Sequence, residues 1–188
     1  FFPSKNLGCF GDGGAICTDD EMLAEKIRMI ANHGQKVKYH HSIIGCNSRL
    51  DTIQAAVLNV KLRYFSQHLE ARKQAASFYD KALETNLSFE LPNRLPNAIH
   101  TFNQYTLKVK NHKRDELQSF LAKNHIPCMI YYPIPLYRQD AFKKYVSFDF
   151  ELKHTEQLCN SVLSIPIHTE MNEEIQNRIV GVLKDFTA

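Results

Sequence analysis

Lys5 is the first residue with the means to do chemistry, because Gly8, Gly11, Gly13, Gly14 and Asp12 all follow it within nine residues. A lysine amine on such a loop can bind a phosphate as a point charge, or form a Schiff base when it is held neutral. Glycine backbone there can adopt positive φ or approach a ligand closely. Exposed N–H groups would add an anion-binding concavity. The pattern is not a Walker A motif, since no Gly-Lys-Ser/Thr follows the glycines. It is not a dinucleotide fingerprint either, since no strand precedes it and no Gly-x-Gly-x-x-Gly is present. A surface lysine in front of a structural turn fits the same residues.

Two further segments carry suitable side chains. Gly45-Cys46-Asn47-Ser48-Arg49-Leu50-Asp51 stands at the entry to a long helical stretch. Ser48 or Asp51 would cap that helix. A helix N-terminus also attracts phosphate, and Asn47 and Arg49 offer side-chain donors. Tyr131-Tyr132-Pro133-Ile134-Pro135-Leu136-Tyr137 is a stiff aromatic loop. Such a loop either caps a core or frames a ligand mouth, and both readings stand. Asp149, Glu151, Glu170, Glu173 and Glu174 read as solvated surface or helix-start acids, with no paired-carboxylate site among them. The adjacent His40-His41 suits a loop better than one face of a helix, and no Cys/His spacing recurs as a zinc site requires.

The elements that must position these groups are legible from periodicity and punctuation. Ala15-Ile16-Cys17-Thr18 reads as a short strand. Asp19 or Asp20 caps a helix running to about Asn32 and ended by His33-Gly34. Residues 34–48 read as a loop. From Asp51 to about Thr85 no Gly or Pro intervenes, and Ala55, Leu58, Leu62, Phe65, Leu69, Ala76, Tyr79 and Leu83 recur at spacings of three and four. This predicts one long amphipathic helix, or two with a bend. After a linker at Pro92–Pro96 come a strand over 101–109, a helix over 115–124, and a second strand over 127–132. A helix near 155–160, a strand at 162–165 and a helix over 172–185 complete a small α/β sandwich.

Bulk properties narrow the class. With 188 residues, 44% hydrophobic and 23% charged, the chain fits one full core, or one domain and part of another. A net charge of +3 is spread among acidic neighbours, without the basic stripe that nucleic-acid binding needs. No apolar run is long enough to span a bilayer, so no membrane partner is expected. Five cysteines without a Cys-x-x-Cys pair favour reduced thiols and a cytoplasmic protein. The chain opens without Met, directly on its best site loop, and is therefore expected to be a truncated or partial chain.

Phe-Pro-Ser-Lys-Asn-Leu-Gly with Gly-Asp-Gly-Gly-Ala (residues 2–15), followed by Gly-Cys-Asn-Ser-Arg-Leu-Asp-Thr-Ile-Gln-Ala-Ala (residues 45–56), resembles the DegT/DnrJ/EryC1/StrS family of sugar aminotransferases. The resemblance covers essentially the whole chain. Tyr-Tyr-Pro-Ile-Pro-Leu and Ser-Ile-Pro-Ile-His (164–168) are weaker landmarks of the same kind. It implies an α/β fold, the C-terminal portion of a fold-type I aminotransferase dependent on pyridoxal phosphate. Residues 1–50 would end the large cofactor-binding domain, 51–85 form a long linking helix, and 86–188 form the small domain. It also implies a homodimer with active sites at the subunit interface.

By that resemblance Lys5 is the catalytic Schiff-base lysine and Asn47 reaches the cofactor phosphate of the other subunit. Tyr132 and Tyr137 belong to the loop near the substrate. Tyr137 stands where the family often has His, and so does Asn103. The cofactor acts as an electron sink, and Lys5 would shuttle a proton for an amino-acid donor, usually glutamate in this family. The acceptor is a keto-sugar carried on a nucleotide. Tyr39-His40-His41 is similar to members acting on UDP-linked 3-keto sugars in surface-polysaccharide synthesis. Related dehydratases carry histidine at the position of Lys5, so lysine favours transamination. The remaining pocket residues of the family precede residue 1, and the chain alone is expected to bind the cofactor poorly and not turn over. A non-catalytic dimerisation module of the same family is the alternative, and a phosphate-binding module without Schiff-base chemistry a third.

Overall fold

Asp20 starts the first helix in the computed structural model, which describes residues 1–145 and 152–187. Its side chain accepts from Leu23 N at 3.0 Å, and helix α1 runs Glu21–Ala31 with Glu21 in the first turn and Arg28 in the last. That charge order matches the helix dipole. His33 (φ 58°) and Gly34 (φ 75°) then enter the left-handed region and end the helix, as the sequence predicts. Asp149 and Glu151 lie outside the described residues.

By internal contacts the chain divides into two compact units, residues 1–66 and 67–188. The first holds α1, a small antiparallel hairpin of β1 (Gln35–Val37) and β2 (His40–His41), and α2 (Thr52–Arg63). Two expectations are corrected here. Residues 34–48 contain that hairpin rather than loop alone, with Tyr39 at φ 68° making its turn. Ala15–Thr18 is not a strand: it has no ladder partner among the described residues, and Ile16 is 72% exposed. An extended run without a partner leaves its N–H and C=O groups to water. Gly8, Cys9, Gly34 and Leu58 are the buried residues of this unit.

The long helical stretch is two helices, α2 and α3 (Phe65–Leu83), parted at Tyr64. Of its predicted stripe, Leu58, Ala76, Tyr79 and Leu83 are buried, whereas Leu62 is exposed.

The second unit is built on a three-stranded antiparallel sheet in the order β3 (Phe89–Glu90), β4 (Tyr105–Val109), β5 (Val162–Ile165). Tyr105, Leu107 and Val109 face Leu163 and Ile165 on one side of the ladder, and α3, α4 (Arg114–Lys123) and α6 (Glu173–Asp185) contribute Tyr79, Leu83, Leu117, Leu121, Ile179 and Leu183 to the same core. Helix α5 (Lys153–Ser161) leads into β5. Alternation along β4 follows from its period of two. The predicted strand over 101–109 is shorter than expected because Phe102 adopts φ 43° and breaks the extended run. The predicted strand over 127–132 reduces to one bridge, Met129 to Ser164. Pro127 has no N–H to give a ladder, and Pro133 closes the segment.

Gly181 lies exposed in the middle of α6, and a Cβ there would meet nothing within 4 Å. Gly181→Ala is expected to raise stability by about 0.5–1 kcal/mol, since alanine loses less backbone entropy in a helix. A urea midpoint at or below that of the native chain would contradict this.

Candidate active site

Lys5 sits on a turn that the backbone closes from several sides. Its N–H donates to Phe2 O at 2.9 Å, and Cys9 N donates to Phe1 O at 2.8 Å. Phe1 N reaches Gly13 O at 2.7 Å. The buried Cys9 Sγ lies 3.0 Å from Phe1 O and 2.9 Å from Gly11 O, either of which can take its proton. Gly8 is required by packing: a Cβ there would stand 2.6 Å from Pro3 O and 2.8 Å from Phe2 O. None of the four loop glycines uses positive φ, which corrects the conformational reason for their presence. Gly8, Gly11 and Gly13 let the chain pack closely, whereas a Cβ on Gly14 would meet nothing within 4 Å. The Lys5 side chain is exposed, and its amine has no hydrogen bond or ion pair among the described residues.

Asn47 is placed by the C-terminal end of α1. Its neighbours Cys46 and Ser48 donate backbone N–H groups to Ile30 O (2.8 Å) and Ala31 O (2.9 Å), and His33 N donates to Cys46 O (2.9 Å). Arg49 Nε donates to Asn47 Oδ1 at 3.2 Å, and Arg49 Nη1 to Asn32 Oδ1 at 3.4 Å. With Oδ1 facing a guanidinium, the Asn47 amide offers its two N–H donors elsewhere. Asp51 occupies the N-cap position of α2 but makes no side-chain cap bond, and Ser48 stands outside the helix.

The tyrosines belong to the second unit. Tyr132 is 70% exposed, its ring edge-on to Tyr131 with centroids 5.6 Å apart. Tyr137 is half-buried in a 3-10 turn (Leu136–Arg138), and its hydroxyl donates to Glu156 on α5. Arg138 Nε pairs with the same carboxylate at 2.7 Å, and hydrogen bonding to Tyr137 and the charge of Glu156 push the Arg138 pKa up. Asn103, on the wall of a cavity of about 240 Å³ with Gln104, Cys128 and Tyr131, has a buried Oδ1 with no partner among the described residues. Burial raises the pKa of Cys128.

Several fasteners escape a sequence reading. Gln54 Oε1 accepts from Phe10 N at 2.8 Å, and Lys61 Nζ donates to Gly8 O at 2.6 Å. Their spacing with Leu58, four and then three residues, marks one helix face and was the available signal. Arg72 Nη1 donates to the carbonyls of Phe102 (3.1 Å), Asn103 (3.3 Å) and Ile167 (3.1 Å), and desolvation lowers its pKa. No local pattern announces that role. Among the described residues no cluster of three or more His, Cys, Asp or Glu side chains could hold a metal, and no helix is long and apolar enough to cross a membrane.

The chain is 42% identical over 188 residues to the pleiotropic regulatory protein of Geobacillus stearothermophilus, covering 99% of this chain and 50% of the relative. It is 42% identical over 168 residues to the UDP-2-acetamido-2-deoxy-3-oxo-D-glucuronate aminotransferase of Pseudomonas aeruginosa, covering 89% and 45%. The solved structure of S. venezuelae DesV in complex with a ketimine intermediate matches with a TM-score of 0.91 at 34% identity, over 98% of this chain and 49% of that one. The chain thus spans about half the length of the curated relatives it matches. The α/β fold is that of part of a fold-type I aminotransferase. The family model matches residues 1–184, and the chain belongs to the DegT/DnrJ/EryC1/StrS aminotransferase family.

Proposed function

We propose that Lys5 anchors pyridoxal phosphate in a nucleotide-sugar aminotransferase, a cytoplasmic homodimer that moves an amino group from glutamate to a keto-sugar. The observation that carries the reading is the Lys5 amine itself, exposed and unengaged on a turn whose backbone is tied down around it. An anchoring lysine needs an accessible amine on a support that does not drift. These residues fit the group.

Pyridoxal phosphate, when bound, supplies an electron sink and a carrier for the amino nitrogen. With the cofactor bound, Lys5 Nζ would take the proton from the donor's α-carbon as a free amine and, as the ammonium, deliver it to the cofactor's C4′ carbon. Asn47 Nδ2 would donate to the cofactor phosphate held by the partner subunit, its Oδ1 being occupied by Arg49 Nε. Tyr132 meets the substrate with an exposed ring and hydroxyl. Tyr137, its hydroxyl committed to Glu156, offers the ring. Residues 1–50 end the cofactor-binding domain, 51–85 link, and 86–188 form the small domain.

The ketimine in the DesV complex supports imine chemistry. The name of the Pseudomonas aeruginosa relative supports a UDP-linked 3-keto sugar, as in surface-polysaccharide synthesis. Five free thiols agree with a reducing compartment. Treating the chain with excess pyridoxal phosphate, reducing with borohydride and mapping peptides tests the anchor. Because the chain alone is expected to bind the cofactor poorly, the adduct is expected to be substoichiometric, yet on Lys5 above the level on Lys26, an exposed helix lysine whose labelling Lys5→Ala leaves unchanged. Equal labelling of both lysines would refute the reading. It would favour instead a non-catalytic member of the family, the reading that the regulatory name of the Geobacillus stearothermophilus relative supports.

A further inference from the structure

We infer that Gln54 and Lys61 are positioning residues that latch the Lys5 loop onto α2 and so fix where the Lys5 amine is presented. The inference rests on the reading of Lys5 as the cofactor-bearing amine. Gln54, Leu58 and Lys61 share one face of α2, and Leu58 is the one residue that this helix buries. The face therefore carries two polar side chains that bond the loop, one on either side of a buried leucine.

The contacts form a continuous path to Lys5. Lys61 Nζ donates to Gly8 O at 2.6 Å. Gly8 presses so closely on Phe2 and Pro3 that a Cβ would stand 2.6 Å from Pro3 O. Phe2 O in turn accepts the Lys5 N–H at 2.9 Å. On the far side of the loop, Gln54 Oε1 takes the Phe10 N–H at 2.8 Å, and the bare Gly11 leaves room for Gln54 Nε2, which would lie 3.2 Å from a Cβ. Lys61 has no carboxylate partner among the described residues; the residue is half-buried, and its ammonium lies 5.2 Å from the Phe10 ring. A charged donor to a carbonyl is among the stronger hydrogen bonds, which suits a fastener.

Hydrogen–deuterium exchange of the 188-residue chain tests the latch. Gln54→Leu removes the acceptor and keeps an apolar stem, so the Phe10 amide is expected to exchange roughly fivefold faster. Gln54→Glu keeps an oxygen in place and is expected to exchange like the native chain. Lys61→Met is expected to speed exchange across residues 6–14 by a similar factor, and Lys61→Arg to restore it. Native rates in both Gln54→Leu and Lys61→Met overturn the proposal, as does an acceleration that Gln54→Glu and Lys61→Arg share. Peptide 21–31 reports whether a variant keeps its fold; if Gln54→Leu loses protection there too, the Lys61 pair decides.

Trapping with pyridoxal phosphate and borohydride on the same samples connects the latch to chemistry. The Lys5 adduct, normalised to Lys26, is expected to fall with Gln54→Leu and Lys61→Met and to return with Gln54→Glu and Lys61→Arg. A native chain with no preference for Lys5 sinks the cofactor reading alone, and the exchange rates still decide the latch. A native Lys5 adduct with exchange unmoved by either substitution keeps the cofactor reading and removes the latch.

Discussion

Gly34→Ala is expected to cost roughly 2–5 kcal/mol, the sum of forcing an alanine into left-handed backbone and of overpacking a filled space. At φ 75° the glycine already occupies the region that a side chain disfavours. A Cβ would stand 1.7 Å from Ile43 O and 2.7 Å from Ile43 C, backbone atoms that no rotamer change can remove. Those atoms belong to the strap carrying Asn47. Ser42 N and Ile43 N donate to Gly34 O at 2.9 and 3.3 Å, and Cys46 N and Ser48 N are bonded to the end of α1. Alanine must therefore displace the strap, the helix end, or both. Exchange over residues 42–48 should rise steeply while urea denaturation moves to lower concentration. Gly14→Ala is the control: nothing lies within 4 Å of its Cβ position, and its effect should stay within about 0.5 kcal/mol. Equal effects of the two substitutions would show that contact with Ile43 does not matter.

Gly34 also shows what was legible in the sequence. A His-Gly pair after a capped helix announces a left-handed stop, and α1, α4, α6 and β5 fall within a residue or two of where periodicity and caps put them. What local pattern cannot carry is pairing. Ala15–Thr18 has strand-like composition but no partner, and 127–132 pairs at Met129 alone. The hairpin at β1 and β2 was hidden because a two-residue strand is specified by its turn at Tyr39, not by alternation. Lys5 and Asn47 are proposed as site residues on motif resemblance. The contacts that hold the Lys5 loop were not legible, because Lys61 and Gly8 are 53 positions apart and Gln54 and Phe10 are 44 apart. The loop glycines were legible as a set, but the reason that applies to Gly8, Gly11 and Gly13 is close packing rather than positive φ, and Gly14 shows neither.

Leu163→Ala is expected to destabilise the second unit by about 2–5 kcal/mol, the range for truncating a fully buried leucine whose neighbours cannot close the gap. Leu163 pairs directly with Leu107, and both are wholly inaccessible to solvent. Behind them stand Leu117 and Leu121 of α4 and Ile179 and Leu183 of α6, so the cavity would be walled by helices on a fixed sheet. Because the two leucines touch, Leu107→Ala and Leu163→Ala should be non-additive by about 0.5–3 kcal/mol in a double-mutant cycle. Lys108→Ala, on the exposed face with only a long ion pair to Glu90, should change stability by less than about 1 kcal/mol. The consequence reaches the tyrosine loop. Met129 N donates to Ser164 O at 3.0 Å and Ser164 N to Met129 O at 2.8 Å, so β5 holds the segment that leads into Tyr131 and Tyr132. If that bridge positions the loop, exchange over 127–132 rises together with exchange over 162–165 in Leu163→Ala. Were 127–132 to keep its native rates while β5 loosens, the loop would owe its place to something other than Ser164.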